Sequence, residues 1–251
     1  MIATEPRAVP PPAGTPLPRG VDLPYSREEP MESHWHVRSM HLLIDSIETH
    51  RRDRTDFFAG GDMFFYFSPD MVRNHDFRGP DFFVVNGVER DRERHSWVAW
   101  EEDWRLPNVI VELASLTTAH IDRGAKRALY CDRLAIPEYV IVDPDGWRLE
   151  GWRRYNGTAE PMELEDGRLW LRELEAYIGF WHGTYGGFTA NWPRLFDVKG
   201  TLLPTWAEVA NAARVEAQDA REREKANTAA MQDELTRVLA ELEALRKNPN
   251  P

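Results

Sequence analysis

Disulfide chemistry is the first thing this 251-residue sequence lacks, because it holds a single cysteine, Cys131. One cysteine excludes a disulfide framework and fits a reducing compartment. No apolar run approaches the roughly 18 residues that a membrane span needs. No apolar stretch follows the N-terminus to serve as a secretory signal. A soluble, cytoplasmic protein is therefore expected. Basic charge is scarce too: 31 Lys and Arg stand against 42 Asp and Glu, a net charge of -11. The acidity is not carried by a tail, since residues 25–206 hold 22 basic and 31 acidic side chains. This balance argues against tight non-specific binding to a phosphate backbone, although a local basic groove is compatible with it. What is present is core material, with 42% hydrophobic residues and 10 Trp.

The chain is organised around residues 107–130, PNVIVELASLTTAHIDRGAKRALY. Val109, Ile110, Val111, Leu113 and Ala114 form an apolar run with one ionisable residue, Glu112, inside it. Such a β-branched run reads as a strand buried on both faces. Alternation along a strand puts Ile110, Glu112 and Ala114 on one face and Val109, Val111 and Leu113 on the other. A lone carboxylate there costs on the order of several kcal/mol, so Glu112 needs a metal or a cation as partner.

Three regions follow from composition. Residues 1–24 hold seven of the 18 prolines and are expected to be a disordered tail with polyproline II character. A Pro-rich docking peptide is the alternative. Residues 25–205 form the globular domain. It begins with a helix from Glu32 to about Arg52, on which Val37, Met40, His41, Ile44 and Ile47 recur at helical spacing. The histidines of that helix (His34, His36, His41, His50) have no zinc-protease pattern and read as surface or half-buried residues. Short strands are expected at Phe57–Phe58, Asp62–Phe67, Phe82–Val85 and near Trp97–Trp100. A helix capped by Thr117 or Thr118 should run to about Leu134, followed by a buried strand at Glu138–Val142, while Trp147–Tyr155 and Arg168–Leu171 suggest a hairpin and further β structure. The Gly- and Trp-rich stretch before Trp206 allows no detailed assignment. Residues 206–251 lack Gly and Pro until Pro249. There Met231, Leu235, Val238, Leu242 and Leu245 space as a short coiled-coil seam, which predicts a homodimer helix. A solvated single helix is the alternative.

Asp81 is the last polar residue before one strand, Glu112 lies inside the next, and Lys126 follows on a helix. Two carboxylates on adjacent strand ends can hold Mg²⁺ or Mn²⁺ through oxygen ligands. A nearby lysine can stabilise developing negative charge or orient an attacking water. A purely structural Glu112–Lys126 ion pair is the competing reading of the same residues.

GPDFFVV (79–85), PNVIVELAS (107–115), DRGAKRALY (122–130) and PEYVIVDP (137–144) resemble a bacterial family of putative restriction endonucleases. It is a domain-of-unknown-function branch of the PD-(D/E)xK nuclease superfamily, and the similarity covers about residues 30–205. It implies an α/β fold with a restriction-endonuclease-like core of helix, mixed sheet and helix, followed by extra β structure and a C-terminal helix. It also implies that Asp81 and Glu112 are metal ligands and catalytic acids, with Mg²⁺ or Mn²⁺ as cofactor. The superfamily's usual lysine would fall where Ala114 stands. The family's own pattern moves it to the following helix, giving the role to Lys126. Glu32 is a candidate additional acid on the first helix, and Asp143 reads as structural.

Two functions are then in view. One is a Mg²⁺-dependent DNA endonuclease acting as a homodimer. The other is an inactive nuclease-fold interaction module assembling through its C-terminal helix.

Overall fold

Residues 109–113 are completely or almost completely buried, and their alternation divides the core into two layers. Ile110 and Ala114 enter one layer with Phe83, Tyr130, Tyr139 and Ile141. Val109, Val111 and Leu113 enter the other with Met40, Leu43, Ile47 and Val140. The computed structural model describes residues 7–19, 33–74, 79–115 and 119–247.

In chain order the elements are α1 (His34–His50), β1 (Phe57–Gly60), β2 (Phe65–Tyr66), α2 (Pro69–Asn74), β3 (Phe82–Asn86), β4 (Trp97–Val98) and β5 (Val109–Leu113). Next come α3 (Ala119–Ile121), π-helical turns at Asp122–Lys126 and Ala128–Arg133, and β6 (Glu138–Asp143). Strands β7 (Arg148–Tyr155), β8 (Thr158–Pro161), β9 (Leu169–Leu171), β10 (Ala176–Tyr185) and β11 (Phe188–Phe196) precede α4 (Trp206–Lys247).

The principal sheet is mixed, in the order β1-β3-β5-β6-β7-β8, and only its β5–β6 pair is parallel. A parallel neighbour demands a crossover, and the helical segment 119–133 supplies it. α1 packs on the Val109–Leu113 layer, while Tyr130 and Cys131 of the crossover pack on the Glu112 face. The sheet is thus clad by helices on both sides, as the sequence predicted.

A second antiparallel sheet, β11-β10-β9, fills the stretch that composition left unassigned. Its long hairpin turns at Gly186 and Gly187, whose φ of 55° and 83° suit a tight turn for which glycine pays no steric cost.

Several local expectations change. The strand expected over Asp62–Phe67 contracts to Phe65–Tyr66, since Asp62 adopts φ 47° and its N–H donates to the Pro80 carbonyl. The crossover winds largely as π-turns, where a regular α-helix was expected, and its predicted Thr117/Thr118 cap lies outside the described residues. The Pro-rich stretch was expected to be disordered. Its described residues 7–19 make defined contacts: Ala8 is buried, its N–H donates to the Trp104 carbonyl, and Trp100 Nε1 donates to the Pro18 carbonyl.

The chain divides into two units, 1–205 and 206–251. In the second, α4 exposes Met231, Leu235, Val238, Leu239 and Leu242. Among the described residues no helix is long and apolar enough to cross a membrane.

Candidate active site

Strand pairing creates the site. β3 and β5 run antiparallel with Phe82 opposite Val111, and their pairing stops there. Continuing that register places Asp81 beside Glu112 on one face of the sheet. Beyond the last pair, Leu113 has lost its ladder partner on this side. The Asp81 carboxylate fills the gap: Leu113 N–H donates to Asp81 Oδ2 at 2.6 Å.

Glu112 is fully buried. Lys126 Nζ approaches its Oε2 to 3.0 Å and reaches Asp122 Oδ1 at 2.8 Å. Neither Glu112 oxygen has an aligned hydrogen bond among the described residues, and Oε1 has no ionic neighbour either. Burial is the main reason the Glu112 pKa is pushed up to about 8; Asp81 adds to the rise and Lys126 opposes it. For Lys126, burial works against the charge, but Glu112, Asp122 and Asp81 outweigh it and hold the amine above the usual lysine range. Lys126 is therefore the charged member of the pair. The second carboxylate, Asp122, supports that charge from the same helix.

The scaffold around the lysine is tied at several points. Tyr139 O–H donates to the Asp122 carbonyl at 3.0 Å. Arg123 bridges Asp143 at 2.7 Å and Glu150 at 2.6 Å, which lashes the π-turn to the ends of β6 and β7. Asp143 also accepts from Arg148 and from the Asp145 N–H, in keeping with a structural role.

The structure thus brings Asp81, Glu112 and Lys126 together from two strands and a helix. Glu32 lies outside the described residues. Ala114 is buried in the core layer that contains Tyr130. A cavity of about 630 Å³ opens at the other end of β5 and β6, lined by residues such as Asn108, Glu138, Arg154 and Arg172. The four-residue spacing that puts Asp122 and Lys126 on one helix face is realised as Lys126's second ion pair. Sequence reasoning missed Gly61. A Cβ there would strike the Asp81 carbonyl oxygen and come 2.7 Å from Met40 Cγ, so the backbone carrying Asp81 rests directly on this glycine.

The site suits a hard divalent cation on one structural ground: Glu112 Oε1 is a buried carboxylate oxygen with no hydrogen-bond partner among the described residues. Among the described residues no group of three or more His, Cys, Asp or Glu is placed to hold a metal. Mg²⁺ does not need one, since it is commonly held by one or two carboxylates with water and substrate phosphate oxygens completing the shell.

A family model described as "Putative restriction endonuclease" (Uma2) matches residues 18–186, more than half of the chain. The chain belongs to this family. Searching curated proteins gives no match. A crystal structure of "a putative nuclease belonging to DUF820" from Anabaena variabilis matches at 17% identity and a TM-score of 0.42. That match covers 58% of this chain and 76% of the other. Within the Uma2 family this chain carries an acid before β3, an acid inside β5 and a lysine displaced onto the crossover helix.

Proposed function

We propose that this Uma2 protein is a divalent-metal-dependent endonuclease that hydrolyses DNA phosphodiester bonds at Asp81, Glu112 and Lys126. The observation that carries this reading is the buried Oε1 of Glu112, without a hydrogen-bond partner among the described residues, beside Asp81 and a charged lysine. Asp81 and Glu112 would hold Mg²⁺ or Mn²⁺. Bound there, the ion would supply electrostatic stabilisation to the phosphoryl oxygens and acidify water. Lys126 repels a metal and cannot ligate one while charged, so its part is to stabilise negative charge developing on phosphate. Its amine is held for this by Asp122 as well as Glu112. In the overall reaction, water oxygen bonds to phosphorus, the bond to the leaving sugar oxygen breaks, and that oxygen takes up a proton.

We further propose a homodimer, because cutting both strands of a duplex is served by two symmetry-related sites. The exposed apolar residues of α4 are the material for that contact. They also support the second reading, an inactive nuclease fold that acts through its helix. Plasmid and single-stranded DNA incubated with Mg²⁺ or Mn²⁺ should be cleaved by the native chain and not by Asp81→Ala. Absence of metal-dependent cleavage by the native chain favours the interaction module.

A further inference from the structure

His36 belongs to α1, on the sheet face opposite Glu112, yet its ring reaches the edge of the site. Its Nε2 contacts the carbonyl oxygen of Leu113, the residue that follows Glu112. A carbonyl only accepts, so this nitrogen carries the hydrogen. Nδ1 is then the acceptor of the neutral ring, and it lies 2.8 Å from the Ser33 hydroxyl, which can donate to it. Ser33 is also the cap of α1, accepting from the His36 N–H. The bonds form a line: Ser33 O–H to His36, His36 to the Leu113 carbonyl, and the Leu113 N–H to Asp81. The first turn of α1 is itself anchored, by Trp35 Nε1 donating to the Asn191 carbonyl and by Arg38 donating to the Tyr185 and Gly186 carbonyls.

We propose that His36 is a positioning residue: by holding the Leu113 carbonyl it fixes the backbone of Leu113 where β5 outruns β3, and through the N–H of that same residue it sets Asp81 against Glu112. Both ring nitrogens are engaged, so His36 does not serve as the general base. The activity half of this inference rests on the nuclease reading above, whereas the placement of the Leu113 backbone does not.

The test compares the native chain with His36→Ala and His36→Gln, since a glutamine amide can restore a donor to the carbonyl. Nitrogen NMR of the native ring should show the Nε2–H tautomer. Amide hydrogen exchange at Leu113 should accelerate about tenfold or more in His36→Ala, return toward native in His36→Gln, and stay unchanged at Val109 in both. With Mg²⁺ and plasmid DNA, His36→Ala should lower kcat about 10- to 100-fold at little-changed KM, as loss of a ligand-orienting partner typically does. The glutamine variant should recover most of that loss. Native-like exchange at Leu113 in His36→Ala, or a glutamine variant no better than alanine, overturns the proposal. If the native chain cleaves no DNA, the nuclease reading fails by itself, and the exchange measurements still decide the role of His36.

Discussion

The Lys126 amine stands 3.0 Å from Glu112 Oε2, bridging a π-helical turn and the central strand of the sheet. The same amine is shared with Asp122, so this cation serves two buried acids. Lys126→Ala should therefore separate chemistry from binding. We expect kcat to fall by about 10²-fold or more, in the range for losing a positioned electrostatic or proton-handling group. Calorimetric affinity for Mn²⁺ should be retained, while Asp81→Ala and Glu112→Ala lose it. Loss of metal binding in the lysine variant alone would reverse the assigned roles.

Metal-free stability should depend on pH through Glu112. Its pKa rises from an ordinary 4.5 to about 8 on folding, so between those values the folded chain binds more protons than the unfolded one. Stability then declines as pH climbs through that window and levels off above it. Lys126 is raised above its usual range and keeps its full contribution throughout. Glu112→Gln, which cannot ionise, should be more stable than the native chain at pH 8 by about 1–3 kcal/mol. For a domain of this size that is roughly 2–4 °C in Tm for each kcal/mol. The advantage should shrink at pH 5. Melting curves without metal at both pH values give the answer, and an equal difference at the two would contradict it.

Gly61→Ala should act on the site at one remove. The added methyl meets the Asp81 carbonyl and Met40, one backbone and one side chain, so the Asp81 segment must shift. A cost of about 1–3 kcal/mol is usual for overpacking. Cleavage should fall disproportionately to that cost at a temperature where the variant remains folded by circular dichroism. Full activity in a folded variant would show that Asp81 tolerates displacement.

A chain ending at Thr205 keeps the first unit intact and removes α4. Light scattering at micromolar concentration should find the full chain dimeric and the shortened chain partly or wholly dissociated. The apolar seam spans only about two heptads, which is marginal alone, so the first unit is expected to share the interface. A monomeric full chain rejects the dimer, and an unchanged dimer after shortening removes the helix from it.

Much of this site was legible because buried carboxylates are rare and strands alternate. Glu112 inside an apolar run needed a cation, and Ile110 and Ala114 told which face it occupied. Asp81 was legible as the polar residue immediately before a strand. His36 was not, because its contact is to a backbone carbonyl on another element, and side-chain spacing carries no trace of such a bond. Gly61 looked like ordinary turn punctuation, since nothing in a sequence distinguishes a glycine that bends the chain from one that lets another segment approach. The β10–β11 hairpin escaped because burial runs continuously over Trp192–Phe196 and gives way to exposure near the turn, so neither strand alternates along its length.

The parallel pairing of β5 with β6 has a consequence for how the protein is made. In the finished sheet β5 is flanked by β3 on one side and by Glu138–Asp143 on the other, and the second neighbour is synthesised only after the crossover. A nascent chain released or stalled before Asp143 therefore holds both acids and the lysine in its sequence but has no assembled centre. Under the proposed nuclease function, the ribosome would carry an inactive polypeptide until Asp143, about two thirds of the way through residues 25–205.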